Sequence, residues 1–178
     1  TFEACSKVAN KNKTLVLWGR GRNGMKWDIL VDNAGKLKVD VKGGSVTSST
    51  KVKDGDWHHI AVVLKKDGNS AKVKDITLYI DGEEETNAIV LTGNRNIITK
   101  NTGTVSIGGT NSGGSILKGE IEEVRIWNKN LSKSEIQANM NEEYSGNKNK
   151  LQLYFKFNNT NGNTVSDKSG KNRDGTIN

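Results

Sequence analysis

Residues 27–41, WDILVDNAGKLKVDV, constrain this chain more than any other stretch. Trp27, Ile29 and Val31 recur at a period of two, Asn33 to Gly35 supply turn formers, and Leu37, Val39 and Val41 recur again at two. In an extended strand that period places one set of side chains on one face. The stretch therefore predicts an antiparallel hairpin with one buried face. The same grammar repeats along the chain. With 20 Gly and no Pro, turns fall to Gly, Asn and Asp, which tolerate positive φ. DNAGK, KDGNS, IDGEE and NSGGS are such turns between short apolar runs, a pattern of all-β sandwiches and barrels.

The runs predict strands in TFEACSKV (Phe2, Ala4 and Ser6 on one face), KTLVLWGR, WHHIAVVLKK, DITLYIDGEEE, TVSIGG, GEIEEVRIW and LQLYFKFNNT. WHHIAVVLKK is apolar enough to be central. In the last run Leu151, Leu153, Phe155 and Phe157 face inward, leaving Tyr154 and Lys156 outward. One helix is predicted, in NLSKSEIQANMNEEY: Ser132 is a good N-cap, Glu135 completes a capping box, and Leu131, Ile136 and Met140 form an apolar stripe.

The 178 residues fit one domain of ordinary sandwich size. A hydrophobic share of 33% implies a thin core beneath long polar loops. The net charge of +7 is dispersed along strands rather than clustered, which reads as a solvated surface. No helix-turn-helix, zinc-finger or aromatic-basic stripe accompanies it, so nucleic acid is not an expected partner. No apolar run is long enough for a helix to insert into a membrane. A single cysteine, Cys5, excludes an internal disulfide. It reads as a small strand residue, without the partners nucleophilic catalysis requires. His58 and His59 are strand neighbours that point to opposite faces, so they cannot share a metal.

Three stretches together carry a family likeness: DGDWHHIAVVLKK followed by ITLYIDGEE; VSIGGT with GEIEEVRIWNKNLSKSEI; and LQLYFKFNNTNGNTVSDKSGKNRDGTI. Their order resembles laminin-G-like, concanavalin-A-like lectin domains of the bacterial type, over nearly the whole chain. The resemblance implies an all-β jelly-roll sandwich of two antiparallel sheets with one short edge helix. It implies a hairpin at Asp81–Gly82 and packed positions for Trp57 and Trp127. It also implies a single domain over residues 1–178 that lacks its first strand and is cut from a larger secreted or cell-surface protein, beside other domains. The fold hosts lectins, adhesion modules, glycosidases and lyases alike, so function has to come from the site.

The glutamates of GEIEEVRIW raise the question of catalysis. Glu120 and Glu122 share a face about 6.5–7 Å apart at Cα, a spacing that a glycosidase could use. The sandwich glucanases, however, carry E-x-D-x-x-E or E-x-D-x-E, and no third acid stands at either spacing here. The expectation is a protein that is not an enzyme. Calcium is an expected structural cofactor. Hard cations take carboxylate oxygens on bent loops, and VSDKSGKNRDG offers Asp167 and Asp174; related domains add an acid such as Glu123. A plain polar turn held by Asx hydrogen bonds explains the same loop equally well.

Sugar binding requires an aromatic face with planar polar groups beside it. Trp18 and Trp27 flank the loop of LWGRGRNG, where Arg20 and Arg22 have the fork geometry for carboxylate or sulfate. Each Trp, Trp27 above all, could instead cap the core. The expected function is thus a non-catalytic carbohydrate-binding or adhesion module, with an anionic polysaccharide as partner. The alternatives are a structural or protein–protein adhesion domain and, further off, a glycan-cleaving enzyme.

Overall fold

The computed structural model describes residues 1–9, 13–18, 27–42, 44–65, 71–97, 104–109, 115–158 and 162–177. Two six-stranded sheets face each other. The first runs β12 (Leu151–Phe155), β11 (Gly119–Trp127), β1 (Phe2–Val8), β6 (Trp57–Leu64), β7 (Ile76–Ile80) and β8 (Glu83–Glu84). The second runs β10 (Val105–Ile107), β2 (Lys13–Trp18), β3 (Trp27–Val31), β4 (Lys36–Val41), β5 (Gly44–Lys51) and β9 (Ile89–Leu91). A small hairpin, β13 (Thr164–Val165) with β14 (Gly175–Thr176), follows. Neighbouring strands in both sheets pair antiparallel. This is the jelly-roll sandwich that the alternation and the family likeness led us to expect.

The predicted hairpin forms β3 and β4, with Ile29 opposite Val39 and Val31 opposite Leu37. Its turn is held by Asp32, whose Oδ1 accepts from the N–H groups of Ala34 (2.8 Å) and Lys36 (2.9 Å). Ile29, Val31, Leu37 and Val39 meet Phe2, Ala4, Ile60, Val62 and Leu78 of the facing sheet in the principal core. Asp81 and Gly82, at φ 52° and 78°, make the expected turn between β7 and β8. A Cβ at position 82 would also sit 2.8 Å from Gln137 Cγ and 2.9 Å from Met140 Sδ, so glycine lets this turn approach the helix region.

Two strands of the large sheets, β5 and β9, escaped the sequence reading, as did the short β13–β14 pair. β5 is rich in Ser and Thr, yet Ser48 is fully buried; its Oγ accepts from Leu37 N (3.0 Å) and donates to Thr50 O (2.7 Å). β9 is short, and Ile89, Val90 and Leu91 are all exposed.

A second core lies on the outer face of the first sheet. Ala61, Val63, Tyr79, Trp127, Leu151 and Tyr154 pack there beneath Leu131 and Ile136. Tyr154 does leave the inner face as expected, but it is fully buried under this cover. Helix α1 spans Lys133–Asn139, shorter than its apolar stripe predicts. Its N-terminus carries the expected capping box between Ser132 and Glu135. At its other end Arg125, from the sheet, donates to Asn139 O (2.9 Å) and Glu142 O (2.6 Å). A cation at a helix C-terminus also suits the helix dipole. β12 stops at Phe155, and Phe157 takes a left-handed φ of 61°. No helix among the described residues is long and apolar enough to cross a membrane.

Candidate functional site

The two tryptophans proposed for sugar contact lie directly opposite each other. The β2–β3 register pairs Trp18 with Trp27, β10 places Val105 opposite Trp18, and β4 places Val41 opposite Trp27. The resulting cross-strand row is in phase with Val16 and Ile29, so it continues the inner face to the end of the sandwich. Exposure rises along it. Val41 is buried, Trp27 is half-buried against the core, and Trp18 and Val105 are each 37% exposed. Trp27 thus packs on the core, and Trp18 presents its ring to solvent. Arg20 and Arg22, on the loop between the two, lie outside the described residues.

Glu123 occupies a β-bulge. Glu3 pairs with Arg125 and Cys5 with Glu122, so β11 has one more residue than β1 across this interval. Glu123 takes the extra turn at φ 54°. Its carboxylate forms an ion pair with Arg125 and accepts from Tyr154 Oη at 2.6 Å. Burial works against the Arg125 charge, but the hydrogen bond to Glu123 and the charges of Glu3 and Glu123 outweigh it and hold the guanidinium more firmly protonated than usual. The Arg125 guanidinium also lies 5.2 Å from the centre of the Tyr154 ring. Burial, then the bond to Glu123, pushes the Tyr154 phenol up to about 12. Glu123 therefore links β11 to β12, and Arg125 ties the sheet to the end of the helix. Glu120 and Glu122 are exposed, with Glu120 opposite Lys7.

Asp167 closes the C-terminal loop. Its Oδ1 accepts from Tyr154 N (3.0 Å) and Ser169 N (2.9 Å), and its Oδ2 from Ser169 Oγ (2.7 Å) and Arg173 N (3.1 Å). Burial alone would raise this carboxyl, but these bonds prevail and hold it below its ordinary value of 3.8. Asp174 Oδ1 accepts from Asp167 N at 2.8 Å. The four bonds to Asp167 use the acceptor capacity of a carboxylate, so donors of the loop and of β12 hold it closed. Glu123 lies at the other end of Tyr154. Among the described residues no three His, Cys, Asp or Glu side chains are grouped to hold one ion.

Burial, then the charge of Glu122, pushes the Cys5 thiol up to about 11, away from nucleophilic thiolate. His59 is buried, and His58 bonds Asp81 Oδ2 (2.8 Å) and Asp54 Oδ2 (3.0 Å). Trp127 is buried as expected, its Nε1 donating to Glu3 Oε2 at 2.7 Å. Trp57, expected to pack, is instead 42% exposed. The signal was its phase: Trp57 alternates with Ile60 and Val62, so it faces outward at a strand start.

Comparison with known proteins agrees with this architecture. A family model described as the concanavalin A-like lectin/glucanases superfamily matches residues 1–137. No curated protein matches the sequence. Among solved structures, one similar chain is a protein from Bacteroides ovatus ATCC 8483 assigned to carbohydrate binding. It shows a TM-score of 0.68 and 19% identity over 99% of this chain and 53% of its own. The present chain thus spans about half of that protein's length. Another is the CBM40 of the Ruminococcus gnavus IT-sialidase, solved bound to α2,6 sialyllactose, with a TM-score of 0.56 and 18% identity over 78% of this chain and 81% of its own. At these identities the likeness is one of fold.

Proposed function

Because this chain belongs to the concanavalin A-like lectin/glucanases superfamily, we propose that it is a non-catalytic carbohydrate-binding module. The parent would be a secreted or cell-surface protein, with the chain beside other domains. The observation that carries the reading is the Trp18 row: an aromatic side chain exposed at the end of the sandwich, opposite a second tryptophan packed on the core. A rigid, half-supported aromatic face suits the apolar side of a pyranose. The two structural neighbours are themselves described by carbohydrate binding, which supports the same class. Arg20 and Arg22 between the two tryptophans, with the net charge of +7, favour an anionic glycan. The engagement of Glu123 by Arg125 and Tyr154 supports a role other than catalysis.

A glycan array with wild-type protein and Trp18→Ala, each in calcium and in chelator, tests this. The expected result is binding to anionic polysaccharides that falls about tenfold in the variant, equivalent to about 1.4 kcal/mol, with an unchanged circular dichroism spectrum. Binding that persists in chelator removes calcium at Asp167 and Asp174 from the reading. Absence of glycan binding in every arm favours the structural adhesion role, to which Trp27, packed on the core, already conforms.

A further inference from the structure

Beyond the end of α1, on the outer face of the first sheet, lies a cleft of about 560 Å³, a size typical of small-molecule sites. Cys5 and His59, cross-strand neighbours on β1 and β6, form its buried side. Trp57, Asp81, the bulged Glu122–Glu123 pair and the segment from Met140 to Glu143 surround them, with Lys156 and Asn158 completing the rim.

The local charge opposes that of the whole chain. Net charge is +7, yet Asp81, Glu122, Glu123, Glu142 and Glu143 all line this cleft. Asp81 is engaged by His58, Glu123 by Arg125, and Glu143 by Lys156 and Asn158. The Glu122 and Glu142 carboxylates have no hydrogen-bond or ion-pair partner among the described residues; Glu142 contributes only its backbone carbonyl to Arg125. The cleft is thus left with excess negative charge.

A second observation is independent of that charge. The His59 side chain is only 5% exposed, and neither of its ring nitrogens has a hydrogen-bond partner. Its Nε2 lies 3.5 Å from Glu3 Oε1, which also lacks a hydrogen bond. Buried polar groups are nearly always satisfied, and exceptions call for an explanation. This one lines a cleft whose rim carries an indole that is 42% exposed.

We propose that this cleft binds a saccharide carrying a free primary amine. The ammonium is held by Glu122 and Glu142, the sugar ring lies on Trp57, and a hydroxyl takes up His59 as its ring, buried in the free protein, turns toward the cleft. A hydroxyl both donates and accepts, so it satisfies an imidazole in either tautomer. The carbohydrate reading, together with an exposed indole on the rim, favours an amino sugar over a basic peptide. An anionic glycan would meet like charge here. The inference takes its ligand class from the carbohydrate reading, but it uses residues of the other sheet and none of the Trp18 row.

Calorimetry on the full chain tests it with three probes: oligomers of glucosamine, the same oligomers N-acetylated, and oligolysine. Glucosamine oligomers should bind, and acetylation, which keeps the ring and removes the charge, should weaken binding at least about tenfold. Glu122→Gln should weaken it about two- to fivefold and Trp57→Ala about tenfold, while Trp18→Ala should leave it unchanged. Equal binding of the acetylated oligomer overturns the proposal, as does absence of binding. Oligolysine that binds as tightly and ignores Trp57→Ala also overturns it, in favour of a basic peptide. Failure of the anionic glycans at Trp18 is read on separate probes and a separate variant, so the two readings fail distinguishably.

Discussion

The protein has two cores, and they are built differently. Between the sheets, Val31, Leu37, Val39, Ile60 and Leu78 pack as an apolar layer, with small hydroxyls such as Ser48 buried beside it. On the outer face of the first sheet, the cluster around Trp127 and Tyr154 shares its burial with Glu3, His59 and Arg125. The inner core is held by non-directional burial, which tolerates any apolar group of about the right size. The outer one depends on partners at set positions: Trp127 Nε1 on Glu3, Tyr154 Oη on Glu123, and Arg125 on one carbonyl at the end of the helix and one beyond it. Polar networks of this kind specify one geometry and are costly when broken. Of the buried atoms without a hydrogen bond, those of Glu3, His59 and Arg125 belong to the outer core and Ser6 Oγ to the inner face with Phe2 and Ala4; the cleft opens beside the outer core.

Replacing Arg125 by Met tests this contrast most severely. The change leaves Glu123 without its cation and the carbonyls of Asn139 and Glu142 without their donor. Breaking a buried pair from one side costs about 3–5 kcal/mol, so urea unfolding should report a loss comparable to Leu37→Ala in the inner core, about 2–5 kcal/mol. A loss below about 1 kcal/mol would show that the outer core rests on apolar contact alone.

Tyr154→Phe sharpens the comparison, because it removes one oxygen and little else. That oxygen donates to Glu123 and accepts from Tyr144 N at 3.1 Å. A loss of about 1–3 kcal/mol is expected, and a neutral result would reassign the tyrosine to packing.

The smallest effect expected is one of pH. Burial opposes protonation of His58, but its bonds to Asp81 and Asp54 prevail and raise it above its ordinary 6.5. A raised value in the folded state means that the stabilisation is complete below 6.5 and is lost as pH rises through the folded value. The groups that face it are the carboxylates of Asp54 and Asp81. Denaturation midpoints should decline through this range in wild type and be flatter in His58→Gln; identical profiles would detach His58 from stability.

The inner core was legible in the sequence because alternation is a local property. Ile29, Val31, Leu37 and Val39 announce their shared face within one hairpin, and the Ser132–Glu135 capping box lies within one helical turn. The Asp81–Gly82 turn was equally local. β5 was missed because Ser and Thr look the same in a loop and in a strand; only burial against Leu37 distinguishes them. The site divides along the same line. That Trp18 and Trp27 flank one loop is written in the sequence, but their difference in exposure follows from how far the core extends beneath them.

By itself the sequence determined most of the strands, the turns at Asn33–Gly35 and Asp81–Gly82, the helix start and hence an all-β sandwich or barrel, since each follows from the periodicity and turn chemistry of neighbouring residues. The turns expected in KDGNS and NSGGS fall on residues 66–70 and 111–114, outside the described residues. Tertiary structure alone decided where the helix stops, which glutamate is tied to Arg125, and where uncompensated carboxylates gather around Trp57 and His59. Those outcomes depend on residues far apart in the chain. A bulge on β11, a turn after β7 and a segment after α1 meet only when the sheet has formed, and no local pattern encodes the distance between them.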